Sequence, residues 1–261
     1  NAIAMSKRAV LIGCNYPGTD AALNGCVNDV WSMKALLENR FNFGSSDIKI
    51  LVDTDSAYTK PTGRNCKSAL NQAVADSVEG DVLFVHFSGH GTQIPASDHF
   101  AESDGFDEAI VPCDMNIIAD DDLREIFSKL PHGVLFTFVA DCCHSGSMLD
   151  GAEVQISGQK EGGPAAANVA GHADPLAAVL NAGPGGRDID VSSETSNRDL
   201  PIGLLTQILS AQSGHDVNPG NIRTEMSDIF KGDASAMVGN FMKIAGPMIM
   251  QHMSGGGGGG G

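Results

Sequence analysis

The 261-residue sequence predicts an α/β sandwich, a mostly parallel central sheet covered by helices, with a smaller helical appendage after it. Three observations carry that prediction. Four short apolar runs rich in β-branched and aromatic residues recur before residue 150. Amphipathic stretches at helical spacing lie between them. Beyond residue 150 the composition turns to Gly, Ala and Pro and then becomes amphipathic again.

The elements follow in order. Ala9-Val10-Leu11-Ile12-Gly13-Cys14 reads as a first buried strand, and Val27, Val30, Met33, Leu36 and Leu37 mark a helix that ends before Phe41. Ile48–Val52 is a second strand, and Ala69, Leu70, Ala73 and Val74 mark a second helix. Asp81–Phe87 is a third strand. An acidic start suited to a helix N-terminus leads into Leu123, Ile126, Phe127 and Leu130. Val134–Ala140 is a fourth strand. Continuous apolar runs of this kind belong to parallel strands covered on both faces. Residues 6–150 therefore form one catalytic-size domain, and 151–198 read as a flexible linker with a short helix near Pro175–Asn181. Residues 199–253 form a helical linker domain, from Ile202, Leu205, Ile208, Leu209, Met226, Ile229, Phe230 and on through Met237–Ile244; 254–261 are a Gly-rich tail.

Composition removes several function classes. Thirty-two acidic residues against 16 basic ones give a net charge of −16, which is unsuited to tracking phosphates, so no nucleic-acid partner is expected. The charge suits basic partners or divalent cations. No apolar stretch is long enough to span a membrane. The first residues lack the basic flank and apolar run of a secretory leader. Cys14, Cys26, Cys66, Cys113, Cys142 and Cys143 form no CxxC pair, and adjacent Cys142-Cys143 is poor disulfide geometry, so reduced thiols in a cytoplasmic protein are expected.

The chemistry sits after two strands. The third runs into Ser88-Gly89-His90-Gly91 and the fourth into Asp141-Cys142-Cys143-His144-Ser145-Gly146. Carboxyl ends of strands are where α/β sites form. An imidazole beside a thiol favours the thiolate and can then protonate a leaving amine. The N–H groups of Gly89 and Cys143 are expected to form an oxyanion hole. Strand alternation lets only one of Cys142 and Cys143 face the site. It also puts Asp141 on the side of Cys143, and Ser88 on the side of His90.

These two segments resemble the catalytic signatures of metacaspases, and their 53-residue separation fits the interval typical of caspase-like enzymes. Asn15-Tyr16-Pro17-Gly18-Thr19, Gly25-Cys26-Val27-Asn28-Asp29 and Gly105-Phe106-Asp107-Glu108 resemble further blocks of that family over residues 7–150. Leu200 to Met242 is similar to the helical linker of type II, plant and algal, members. The resemblance implies a caspase-like α/β/α sandwich with Cys143 as nucleophile and His90 as general base. It implies a calcium-activated cysteine endopeptidase that cleaves after Arg or Lys, made as a zymogen and self-processed in its linker. A non-catalytic caspase-like scaffold or a regulatory calcium-binding module is the alternative.

By the same resemblance Asp29, Asp141, Ser88 and Cys26 line the pocket for the basic side chain, two carboxylates suiting a guanidinium fork. Asp29 could equally cap the helix that runs through Val30. From Asp98 to Glu125 there are ten acidic residues and one basic one, Arg124. A solvated acidic loop is the plain account. The resemblance implies Ca²⁺ at Asp107, Asp120, Asp121 and Asp150, or in an alternative loop at Asp98, Glu102 and Asp104. Processing candidates are Lys160, Arg187 and Arg198. Arg187 is preferred for its Gly-flanked setting. The family's small-subunit (p10-like) region is not recognisable here, so a p10-like polypeptide partner is expected, in a monomeric holoenzyme.

Overall fold

The computed structural model describes residues 5–95, 106–143 and 198–234. In chain order the elements are β1 (Lys7–Gly13), α1 (Cys26–Phe41), β2 (Ile48–Val52), α2 (Gly63–Ala75), β3 (Val82–Ser88), β4 (His90–Pro95), β5 (Phe106–Val111), β6 (Ile118–Ala119), α3 (Asp120–Phe127), β7 (Leu135–Asp141), α4 (Ile202–Ser213) and α5 (Ile222–Phe230). The four apolar runs form one parallel sheet in the order β2-β1-β3-β7. Alternation sends Ala9 and Leu11 to the face covered by α1, with Val27, Val30 and Leu37. Val10, Ile12, Leu83, Val85 and Phe87 point the other way, into a core shared with α2 and α3 through Leu70, Val74 and Leu123.

Two expectations need correction. β7 is not buried on both faces. It is the outermost strand among the described residues, and Leu135 is 66% exposed. Its apolar residues come at an edge, where composition no longer measures burial. Second, Ser88 and His90 do not share a strand. Ser88 ends β3, and His90 opens β4, which turns away to pair antiparallel with β5 in a separate three-stranded sheet β4-β5-β6. The His-Gly-Thr-Gln-Ile-Pro run of β4 has too little apolar alternation to be read as a strand, so the hairpin is invisible to periodicity.

Register aligns the strand ends that matter. Gly13 pairs with Ser88, and Ser88 with Asp141, so the three last residues of β1, β3 and β7 stand in a row. Gly13 also lets α1 close on the sheet. A Cβ there would lie 2.7 Å from Val30 Cγ2 and 3.0 Å from the Cys26 carbonyl oxygen. That approach brings the first turn of α1, with Cys26 and Asp29, over the strand ends. Helices α4 and α5 join the larger core through Leu205, Leu209, Ile222 and Met226. The helical readings at 175–181 and 237–244, and the Gly-rich tail, lie outside the described residues.

Candidate active site

Arg198 occupies the crevice at the strand ends. It is only 7% exposed. Its Nη2 donates to Asp29 Oδ2 at 2.8 Å, and its Nη1 donates to Ser88 Oγ at 3.0 Å and to the Asp141 carbonyl oxygen at 2.9 Å. Nη1 is also 2.5 Å from Asp141 Oδ2. Ser88 Oγ donates to Asp29 Oδ2 at 2.8 Å, joining the two walls. Burial alone would ease the proton off the guanidinium, but Asp141, Asp29 and Cys26 more than reverse this and hold it above the ordinary arginine range. Cys26 is buried against Ser88 and Arg198, and burial raises its thiol. All four residues expected to line a basic pocket thus surround one guanidinium. Asp29 lies in the first turn of α1 and gives no side-chain cap to that helix.

The main chain of the same segment lies along the start of β4. Gly91 N–H donates to the Arg198 carbonyl at 3.0 Å, and Leu200 N–H donates to the Gly91 carbonyl at 3.0 Å. Asp199 pairs with Gly91 as a parallel bridge. The Gly89 N–H, expected to face a developing oxyanion, instead donates to the Asp141 carbonyl at 3.4 Å. It is the next N–H on that side, Gly91's, that meets the Arg198 carbonyl. Gly91 is also required sterically, because a Cβ on it would fall 1.9 Å from the Cys143 carbonyl oxygen.

His90 and Cys143 both flank Arg198. The His90 Nε2 lies 2.8 Å from the Ala21 carbonyl, which fixes it as the N–H donor. Nδ1 has no hydrogen-bond partner among the described residues. Burial lowers the imidazole's pKa, and the Ala21 and Arg198 main-chain groups work the other way. Cys143 is buried; that burial and Asp199 raise its thiol, while the main chain and charge of Arg198 lower it. Cys142 packs against the larger core, and its thiol is pushed strongly upward by burial.

Tyr16, which the sequence marks only as part of the Asn15–Thr19 block, holds His90. Its hydroxyl accepts the His90 N–H at 2.8 Å and donates to the Val111 carbonyl at 2.5 Å, and its ring lies 4.9 Å from the imidazole. Tyr16 sits at φ 50°, and Asp53 secures that strained turn by accepting from the N–H groups of Asn15 and Tyr16 at 2.9 and 2.7 Å. A tyrosine three residues past a strand end, beside Asn and Pro-Gly, is the only sequence signal for this role.

The acidic residues are placed differently. Asp107 is buried and paired with Arg223 of α5 at 2.5 Å, and Arg223 Nε also donates to the Pro95 carbonyl at 2.9 Å. Asp120 is buried at the start of α3 and accepts from Asp121 N–H at 2.7 Å. Burial pushes the Asp120 carboxyl up to about 7, with the Asp121 and Asp107 charges adding to it. Asp121 turns outward to Arg124 at 2.6 Å. Among the described residues no three metal-ligating side chains gather around one point. Asp150, Asp98, Glu102, Asp104, Lys160 and Arg187 lie outside the described residues.

Residues 7–152 match the family model for the metacaspase, peptidase C14 domain. The chain belongs to the metacaspase family. Metacaspase-6 of Arabidopsis thaliana is 42% identical over 245 residues, covering 92% of this chain and 62% of that protein. Metacaspase-4 of the same plant is 39% identical over 272 residues, covering 92% of this chain and 65% of that protein. Metacaspase-9 is 40% identical over 231 residues, covering 87% and 64%. The chain thus spans under two thirds of the length of these relatives. Its mixed α/β architecture with a mostly parallel sheet is the caspase-like fold of the family. Among the described residues no helix is long and apolar enough to cross a membrane.

Proposed function

We propose that this chain carries the catalytic centre of a cysteine endopeptidase that cleaves after Arg or Lys and is held closed by its own linker. The observation that carries the reading is Arg198: a buried guanidinium between Asp29 and Asp141, with its carbonyl on the Gly91 N–H beside His90 and Cys143. A substrate arginine in the same place would present its carbonyl carbon to Cys143. With Nε2 committed to Ala21, His90 Nδ1 is the nitrogen left to take the thiol proton. The thiolate adds to the carbonyl, the Gly91 N–H supports the oxyanion, and the imidazolium returns its proton to the departing amine. Water then hydrolyses the thioester and restores thiol and acid.

Self-processing at Arg198, with a new N-terminus at Asp199, is part of the proposal. Arg187 and Lys160 stay as further processing candidates. Calcium is the proposed activator. Asp107, Asp120 and Asp121 are short of the six to eight oxygens Ca²⁺ takes, so an ion there needs Asp150 or the acidic loop as well. A p10-like polypeptide extending the sheet at β7 is supported by that strand's exposed edge position. Six free thiols support a reducing, cytoplasmic setting.

The test is hydrolysis of an Arg-terminated fluorogenic peptide by the protein as its gene encodes it, with calcium and with chelator, for wild type and Cys143→Ala. Calcium-dependent turnover abolished in Cys143→Ala is expected. Absence of turnover by folded wild type in every condition refutes the peptidase reading.

A further inference from the structure

The linker segment touches the domain beyond its arginine, and those contacts have the form of a subsite. Two hydrogen bonds tie it to Gly91 in parallel register, at the Arg198 carbonyl and the Leu200 N–H. A third comes from Thr92, fully buried, whose Oγ1 donates to the Leu200 carbonyl at 2.8 Å. Both main-chain groups of Gly91 point away from β5 and are taken by the segment, so β4 accepts an added strand on this edge. The side chains alternate. Asp199 is exposed, whereas Leu200 is 1% exposed and joins the larger core. A cavity of about 510 Å³ borders it, and its walls on the domain side are Asp20, Ala21, Ala22, Leu23, Asn24 and His90. Those six belong to the catalytic domain and remain when a linker departs.

We propose that the Gly91–Thr92 edge is a binding subsite for the second residue after the scissile bond, so that favoured substrates read Arg–Xaa–apolar. This rests on the reading that Arg198 stands where the substrate's basic residue binds. Backbone pairing supplies affinity for any sequence, and Thr92 anchors the carbonyl of the second residue. Ala21 and Leu23, with the core cluster that buries Leu200, select an apolar side chain there.

The test compares three Arg substrates on the activated protein: internally quenched peptides with Leu or with Asp at the second position after Arg, and an Arg aminocoumarin amide that has nothing beyond the bond. The Leu peptide is expected to exceed the Asp peptide by at least about 10-fold in kcat/KM. Thr92→Val, close in shape, should cut the advantage of the Leu peptide over the amide about 3–10-fold, the value of one hydrogen bond. Equal kcat/KM for the Leu and Asp peptides overturns the subsite, as does an advantage that Thr92→Val leaves in place. If wild type cleaves the amide but gains nothing from the extension, only the subsite falls. If wild type cleaves no Arg substrate, the peptidase reading and the subsite fall together.

Discussion

Replacing Arg198 by alanine removes the guanidinium from between Asp29 and Asp141 and leaves the backbone contacts of its segment to Gly91 in place. Each charge-assisted hydrogen bond is worth about 1.5–3 kcal/mol when well shielded. The Asp29 and Asp141 side chains are 36% and 46% exposed, so solvent screens the pairs and the low end applies. Two such pairs give about 3 kcal/mol for holding the segment down. The partly exposed carboxylates rehydrate when the arginine is gone, so no buried-charge penalty adds to this. A loss of that size raises the open population roughly 100-fold. Alkylation of Cys143 by iodoacetamide in calcium-free buffer, followed by mass spectrometry, reads that population directly. Arg198→Ala should react on the order of 100-fold faster than wild type. Arg198→Lys, a point charge without the fork, should fall between, at about 10-fold. Cys66, fully buried in the larger core, serves as the internal control. A Cys143 rate in Arg198→Ala within about 3-fold of wild type, in a protein with unchanged circular dichroism, refutes the clamp.

Three further outcomes follow from the same structure. Tyr16→Phe leaves the His90 N–H and the Val111 carbonyl without their buried partner, and should cost about 2–3 kcal/mol, read as a thermal midpoint lower by roughly 5–10 °C and a reduced kcat with KM little changed. Asp107→Asn strands the buried Arg223 charge and should destabilise the docking of α5 by about 3–5 kcal/mol; unchanged hydrogen-exchange protection across Ile222–Phe230 would count against it. His86 is buried and titrates at about 4, lowered from 6.5 chiefly by burial. The unfolded chain takes that proton near 6.5, so the stability His86 contributes is full above this pH and is lost as pH falls toward about 4, a total of about 3 kcal/mol. His86→Leu should flatten that part of the acid limb in urea melts at pH 7 and 4.5, and an acid limb as steep as wild type's would remove His86 as its source.

The parallel sheet and its covering helices were legible because continuous apolar strands and 3.6-residue periodicity are local signals. Ile48–Val52 is read to the residue, and the other three long strands to within two. The delivery of His90 and Cys143 to neighbouring strand ends was equally legible, since both sit in short glycine-containing motifs directly after apolar strands. β4 was not, because a Gly- and Pro-containing strand gains its stability from a partner 11 to 21 residues away. The same holds for Tyr16, whose role lies in one hydroxyl bridging residues 74 and 95 positions distant. The choice among Lys160, Arg187 and Arg198 shows the limit most plainly. As sequence, each is a cation in a polar linker, and accessibility pointed to Arg187. What distinguishes Arg198 is that the Gly13–Ser88–Asp141 register and the close approach of α1 put two carboxylates and a hydroxyl around one point, with the β4 edge beside it to take the backbone. Motif and periodicity say which groups a chain possesses. Which cation meets which carboxylates depends on strand register and helix approach, and those are settled only when distant segments pack.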